Sequence, residues 1–151
     1  MKKEALFSKD KKSRYTLGRF WNDSKDTVLF IMLNPSNANL INDDPTINRL
    51  ISFSKIHGFG GFWVCNLYAF ITPYPRELVS YKKNKCNLNM EYIKSKISIS
   101  KKIIYGWGAK EKEPKWLASL VKKPYCFGKN KNGTPKHPLY LRKKTKITEY
   151  R

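Results

Sequence analysis

Thr27-Val28-Leu29-Phe30-Ile31-Met32-Leu33 is an unbroken apolar run, and it stops abruptly at Asn34-Pro35-Ser36-Asn37. A run of this length ended by turn residues is a strand. In an open α/β sheet, ligands bind just outside the carboxyl ends of the strands. The turn therefore brings an amide, a hydroxyl and backbone N–H groups to the edge where chemistry is usually done. What lies to either side decides whether such a sheet exists.

Phe62 to Tyr68 is a second apolar strand with a polar end, Lys101 to Gly108 a third that breaks at Gly106-Trp107-Gly108, and Pro124 to Phe127 a short fourth. Helical segments separate them. Asp44-Pro45-Thr46 reads as a helix start with an Asp N-cap and Pro at the first position. Ile47, Leu50, Ile51 and Ile56 follow at helical spacing until His57-Gly58 stops them. Arg76 to Tyr81 predicts a short helix. Asn87 to Ile97 predicts a longer one, with Leu88, Tyr92 or Ile93, and Ile97 on its apolar face. Glu113 to Lys122 predicts another, with Pro114 in its first turn. Tyr15 to Trp21 alternates as an edge strand does. Four strand–helix alternations predict an α/β three-layer sandwich, a central mainly parallel four-stranded sheet with helices on both faces, plus the N-terminal edge strand. Right-handed crossovers bring Asn34, Asn66, Trp107 and the His137 loop to one edge. Residues 1–14 read as a flexible basic N-terminus, 15–141 as a single domain, and 142–151 as a solvated basic tail.

At 151 residues the chain is long enough for one domain with a real core. No run reaches the length of a membrane helix, and the first ten residues lack an apolar signal segment. Cys65, Cys86 and Cys126 have no metal-ligand spacing, so reduced thiols and a cytoplasmic location are expected. The formal net charge is +20, from 31 Lys and Arg against 11 Asp and Glu. Polyanions bind such a surface by counterion release, so nucleic acid is the leading partner class. An organismal preference for Lys is the competing explanation. Aromatic residues at 14% add faces on which bases can stack.

Each candidate residue has two readings. Asn34 either orients a water or a base edge, or closes an Asx turn. Ser36 either holds a phosphate or caps the turn. Asn66 interrupts an apolar strand, and a buried amide needs partners. It offers the paired donor and acceptor that complement a base edge, or it is satisfied by a loop. Asp43 and Asp44 are two of few acids. One can activate water, and helix capping accounts equally well for Asp44. Trp107 packs in the core or stacks on a base. His137 is a cation near a leaving group or an incidental loop residue, and the basic loop with Leu139 and Leu141 after it favours the first; His57 reads as a helix C-cap. Phosphate-loop, dinucleotide and nucleophile-elbow motifs are missing from the sequence, and no placed Ser or Cys supports covalent catalysis.

Met32-Leu33-Asn34-Pro35-Ser36, Asp43-Asp44-Pro45-Thr46-Ile47, Gly58-Phe59-Gly60-Gly61, Asn66-Leu67-Tyr68-Ala69, Gly106-Trp107-Gly108 and His137-Pro138-Leu139-Tyr140-Leu141 resemble, in order, the bacterial and phage family known as domain of unknown function 1643. The resemblance spans roughly residues 15 to 141. More widely, the motif order is similar to the uracil-DNA glycosylase superfamily. There the first motif, Gly-Gln-Asp-Pro-Tyr-His in one branch and Gly-Ile-Asn-Pro-Gly in the mismatch-specific branch, positions the hydrolytic water. Asn34-Pro35 is similar to the second form. A base-reading Asn ends strand two, where Asn66 stands. A Leu-Trp-Gly strand end is similar to Gly106-Trp107-Gly108. The last motif, His-Pro-Ser-Pro-Leu, is similar to His137-Pro138-Leu139-Tyr140-Leu141; its His stabilises the departing base and its Leu wedges into the stack.

The resemblance implies a monofunctional DNA glycosylase. Its catalytic set would be Asn34, Asp43, Asp44 and His137, and its base-binding set Ser36, Asn66, Tyr68 and Trp107. DNA contacts would come from Lys129, Lys131, Lys136, Tyr140, Leu141, Arg142 and Lys143. With Asn34 in place of the Asp, water activation falls to Asp43 or Asp44 or is weaker. With Tyr140 in place of the second Pro, an unusual or modified base replaces strict uracil specificity, and similar phage-targeting enzymes suggest an antiviral role. Such base excision flips the nucleotide from duplex DNA, needs no metal or cofactor, and is expected of a monomer. The alternatives are a non-catalytic nucleic-acid-binding module of the same fold and a nucleoside or nucleotide N-glycosidase.

Overall fold

The computed structural model describes residues 1–80 and 87–151. The apolar run forms β3 (Thr27–Met32), and every residue after Thr27 in it is buried. Its side chains alternate between two cores. Val28, Phe30 and Met32 face one cluster with Phe62, Val64 and Ile104, while Leu29 and Ile31 face another with Cys65, Ile103 and Tyr105. A strand buried on both faces must be apolar throughout, which is why no polar residue interrupts it.

Around it the sheet has seven strands: β1 (Lys2–Phe7), β2 (Arg14–Phe20), β3, β4 (Gly61–Asn66), β5 (Lys102–Tyr105), β6 (Tyr125–Cys126) and β7 (Thr148–Glu149). Their spatial order is β1-β2-β4-β3-β5-β6-β7. The inner four, β4-β3-β5-β6, are mutually parallel, as the strand–helix alternation predicts. The flanking strands pair antiparallel.

Both flanks correct the expected boundaries. Lys2–Phe7 is a strand rather than a flexible arm, and it moves β2 inward from the edge. Its charged and apolar residues alternate only weakly, so the N-terminus carries little strand signal of its own. At the other end, β7 pairs with β6. Tyr150 is buried, and Arg151 bonds both carboxylate oxygens of Glu113. The tail is therefore tied to the sheet beyond its run of cations.

Helix α1 (Pro45–Ile56) begins as read, with the Asp44 carboxylate accepting the Ile47 N–H. Ile47, Leu50 and Phe53 bury its inner face against the first cluster, each worth about 1.5–3 kcal/mol. His57 caps its carboxyl end. A 3₁₀ turn, Pro75–Ser80, stands where a short helix is predicted, and the Tyr81 end of that prediction lies outside the described residues, as does Cys86. Helices α2 (Asn87–Ile99) and α3 (Lys115–Leu120) cover the opposite face through Ile93 and Leu117. On α2, Ile93 and not Leu88 faces the core, since Leu88 is half exposed. Among the described residues no helix is long and apolar enough to cross a membrane.

The topology positions the site. After β3 the chain turns to the face of α1, and after β5 to the face of α3. Diverging connections at adjacent strands open a crevice at their carboxyl ends. The register sets its depth: Met32 lies beside Asn66, and Ile31 beside Tyr105.

Candidate functional site

The crevice holds a cavity of about 250 Å³. Asn34, Pro35 and Ser36 line it from the end of β3, Asn66 from β4 and Trp107 from just past β5. Asp44 and Thr46 come from the start of α1, and His137 from the basic loop. Arg14, from the start of β2, completes the wall together with Thr72, Pro73 and Pro75. Six residues singled out in the sequence thus meet around one space.

The geometry separates their roles. Asn34 donates both amide hydrogens, to the carbonyls of Thr72 at 2.7 Å and Pro35 at 3.1 Å. Its Oδ1 accepts nothing from the described residues and remains an acceptor. The Thr72 N–H returns a bond to the Pro35 carbonyl, stitching the two walls together. Asn66 is 1% exposed, and neither Nδ2 nor Oδ1 has a partner among the described residues. Buried amides are almost always bonded, so this orphan pair demands an explanation. The Asn66 backbone is fixed independently, its carbonyl accepting from Asn89 Nδ2 at 2.9 Å.

Asp44 is fully engaged. Oδ1 accepts the Ile47 N–H at 2.9 Å, and Oδ2 accepts the Ser36 hydroxyl at 3.0 Å and the Ala38 N–H at 3.3 Å. It caps α1 and contributes a fixed negative charge to the wall. Ser36 points its proton at that carboxylate rather than at the cavity. His137 Nδ1 accepts the Leu139 N–H at 3.2 Å and so caps the 3₁₀ turn Pro138–Tyr140. A ring nitrogen that accepts carries no proton, so the neutral imidazole bears it on Nε2. Burial lowers the His137 pKa from its ordinary value of 6.5, and the Asp44 charge opposes part of that. The neutral donor form is the one present at neutral pH.

Trp107 answers to both of its readings. Its Nε1 donates to the Glu111 carbonyl at 2.7 Å, its ring lies 4.4 Å from that of Tyr105, and one side of it forms cavity wall. The flanking glycines have separate reasons. A Cβ on Gly106 would meet Met32 Sδ at 3.0 Å and Pro138 at 3.2 Å, and Gly108 has φ +89°.

Three expectations are corrected. Asp43 stands off the cavity: it binds the wholly buried Arg19 at 2.8 Å and Lys3 at 3.4 Å, so it braces the loop after β3. Tyr68 does not line the cavity either; its hydroxyl donates to Glu111 at 3.1 Å, and burial beside that carboxylate pushes its pKa up to about 12. Leu141 packs on the first core cluster instead of projecting, whereas Tyr140 is 91% exposed. Lys129 is exposed and donates to the Tyr150 carbonyl at 3.1 Å. Lys131, Lys136, Arg142 and Lys143 are exposed.

Two residues escape the sequence reading. Arg14 is one of 31 cations and sits at the end of an apparent polar arm, so only the fold distinguishes it. It is 3% exposed. Thr72 lies in a Pro-rich loop with no motif, although its hydroxyl bond to Glu77 at 2.8 Å helps shape that wall.

No curated protein and no solved structure matches the chain. A family model described as a protein of unknown function (DUF1643) matches residues 14–139. That span takes in the whole cavity wall, from Arg14 to His137, and the chain is a member of the DUF1643 family.

Proposed function

We propose that this protein is a DNA N-glycosylase that hydrolyses the glycosidic bond of a flipped-out, altered base and leaves an abasic site. The observation that carries the reading is Asn66, a buried amide on the cavity wall with donor and acceptor both unpartnered among the described residues. A base edge offers the complementary pair and would relieve the cost of leaving both groups unbonded. A cavity of about 250 Å³ is small for a drug-sized ligand and suits one flat heterocycle.

The chemistry follows from the neighbours. Cleavage of an N-glycosidic bond develops positive charge on the sugar and negative charge on the base. Asn34 Oδ1 accepts from the attacking water and orients it. An amide removes no proton, and Asp44 is held by three donors. Acceleration therefore comes mainly from preorganised electrostatics rather than general-base catalysis. The Asp44 carboxylate stabilises the cationic sugar, and His137 Nε2–H donates to the departing base. Exposed cations on the rim grip the phosphates. Tyr140, and not Leu141, is the side chain free to fill the gap a flipped base leaves.

The test is alkali-induced strand cleavage after incubation with duplexes carrying uracil, mismatches or glucosylated hydroxymethylcytosine, the last representing phage DNA. Cleavage at one panel member is expected, falling steeply with salt, lost in Asn66→Leu and reduced in Asn34→Ala. The engagement of Asp44 favours one competing reading, a binding module without catalysis. Tight DNA binding with no base release from any substrate would establish that reading instead. Base release from a free nucleotide with little salt dependence would indicate a nucleotide N-glycosidase.

A further inference from the structure

Two arginines leave β2 for the interior, and among the described residues only one of the two forms an ion pair. Arg19 has Asp43 at 2.8 Å and also donates to the carbonyls of Gly18, Asn39 and Asn42. Arg14 has one bond, from Nη1 to the Ala38 carbonyl at 2.8 Å. Its Nε is buried with no partner among the described residues. No carboxylate among the described residues lies within 4.0 Å of it. A guanidinium has five N–H donors in a planar fork suited to carboxylate and phosphate. Burying one without a countercharge is costly. Arg14 nevertheless stays cationic at neutral pH, with its pKa lowered to about 10 by burial and partly sustained by Asp44.

We propose that Arg14 anchors an anion subsite in the cavity, so that the ligand brings an oxyanion, a carboxylate or a phosphate, to this wall. The subsite has further donors. Asn66 Nδ2 is unpartnered, and His137 carries its proton on Nε2. Asp44 shares the wall and repels an anion, but the Ser36 hydroxyl and the backbone N–H groups of Ala38 and Ile47 offset its charge. The inference deepens the base-excision reading and rests on it for the kind of molecule bound: the oxyanion belongs either to a substituent on the base or to the nucleotide's phosphate.

Calorimetric titration of the full chain separates these sources. The probes are the deoxynucleoside of carboxycytosine, deoxycytidine monophosphate, and neutral deoxycytidine, in near-physiological salt, which screens surface cations more than a buried one. One anionic probe is expected to bind roughly tenfold to a hundredfold tighter than deoxycytidine; which one does so identifies the source. Arg14→Gln should abolish the difference and raise the melting temperature, because it removes an unpaired buried charge. Arg14→Lys should restore most of the preference. Equal binding of all three probes to the wild type, no measurable binding included, overturns the proposal, and so does a preference that survives Arg14→Gln. The wild-type comparison stands even if a variant fails to fold. Anion-selective binding without base release from any DNA would leave the subsite in place and sink the glycosylase reading. Release of a neutral base with no anion preference would do the reverse.

Discussion

The loop after β3 and the cavity wall behind it are built from the same residue types, and they treat them in opposite ways. In the loop, Asp43 meets Arg19, Asp44 meets three donors, and Asn39 Oδ1 accepts the N–H groups of Ile41 and Asn42. On the wall, Asn66 and Arg14 are buried more deeply than Asn39, Asp43 and Asp44, and lack such partners among the described residues. Saturated polar groups hold a scaffold in one shape. Unsaturated ones cost stability, and a fold retains that cost where something else binds. The contrast supports the proposed reading, in which the wall binds and the loop holds it in shape.

Breaking the support should give the largest change. Asp43→Ala leaves the Arg19 charge buried and unpaired, so urea denaturation should show a loss of about 3–5 kcal/mol. A loss below about 1 kcal/mol would mean that the pair is a surface ornament. Asn66→Leu should act in the opposite direction. It replaces two orphan groups by an apolar side chain of similar size, and the same measurement should show stabilisation by about 1–3 kcal/mol together with loss of ligand recognition. Destabilisation there would mean that the amide has a structural partner.

The smallest effect sharpens the comparison through pH. His137 has a folded pKa below its ordinary 6.5, so beneath that value the unfolded chain holds more protons than the folded one. Stability should therefore be full above pH 6.5 and fall as pH drops through the folded pKa. His137→Asn keeps an acceptor for the Leu139 N–H and removes the titration. It should flatten that slope while leaving neutral-pH stability within about 0.5 kcal/mol, and it should lower base release. An unchanged slope would assign the pH dependence to another group.

Much of this was legible before the fold. The β3 run, the Asp44–Pro45 helix start and the alternation of strands with helices depend on local propensity and on the spacing of apolar residues, and those are printed in the chain. Asn66 was visible as a polar residue inside an apolar strand. The two aspartates were not separable, because neighbours in sequence diverge in space. One turns toward β2 and Arg19, the other toward α1 and the cavity. Nor could Leu141 and Tyr140 be ranked: whether a loop residue packs or projects depends on the core beneath it. The N-terminal strand was missed because β1 is held by pairing with β2 rather than by its own pattern.

Sequence alone determined the inner strands and the α-helices, the parallel core and the edge at which polar groups gather. These follow from periodicity and from the rule that crossovers are right-handed. Tertiary structure alone decided which of those groups are satisfied. Hydrogen bonding and charge pairing are short-ranged in space and indifferent to separation along the chain, so Arg14 and Arg19, five positions apart on one strand, have opposite surroundings.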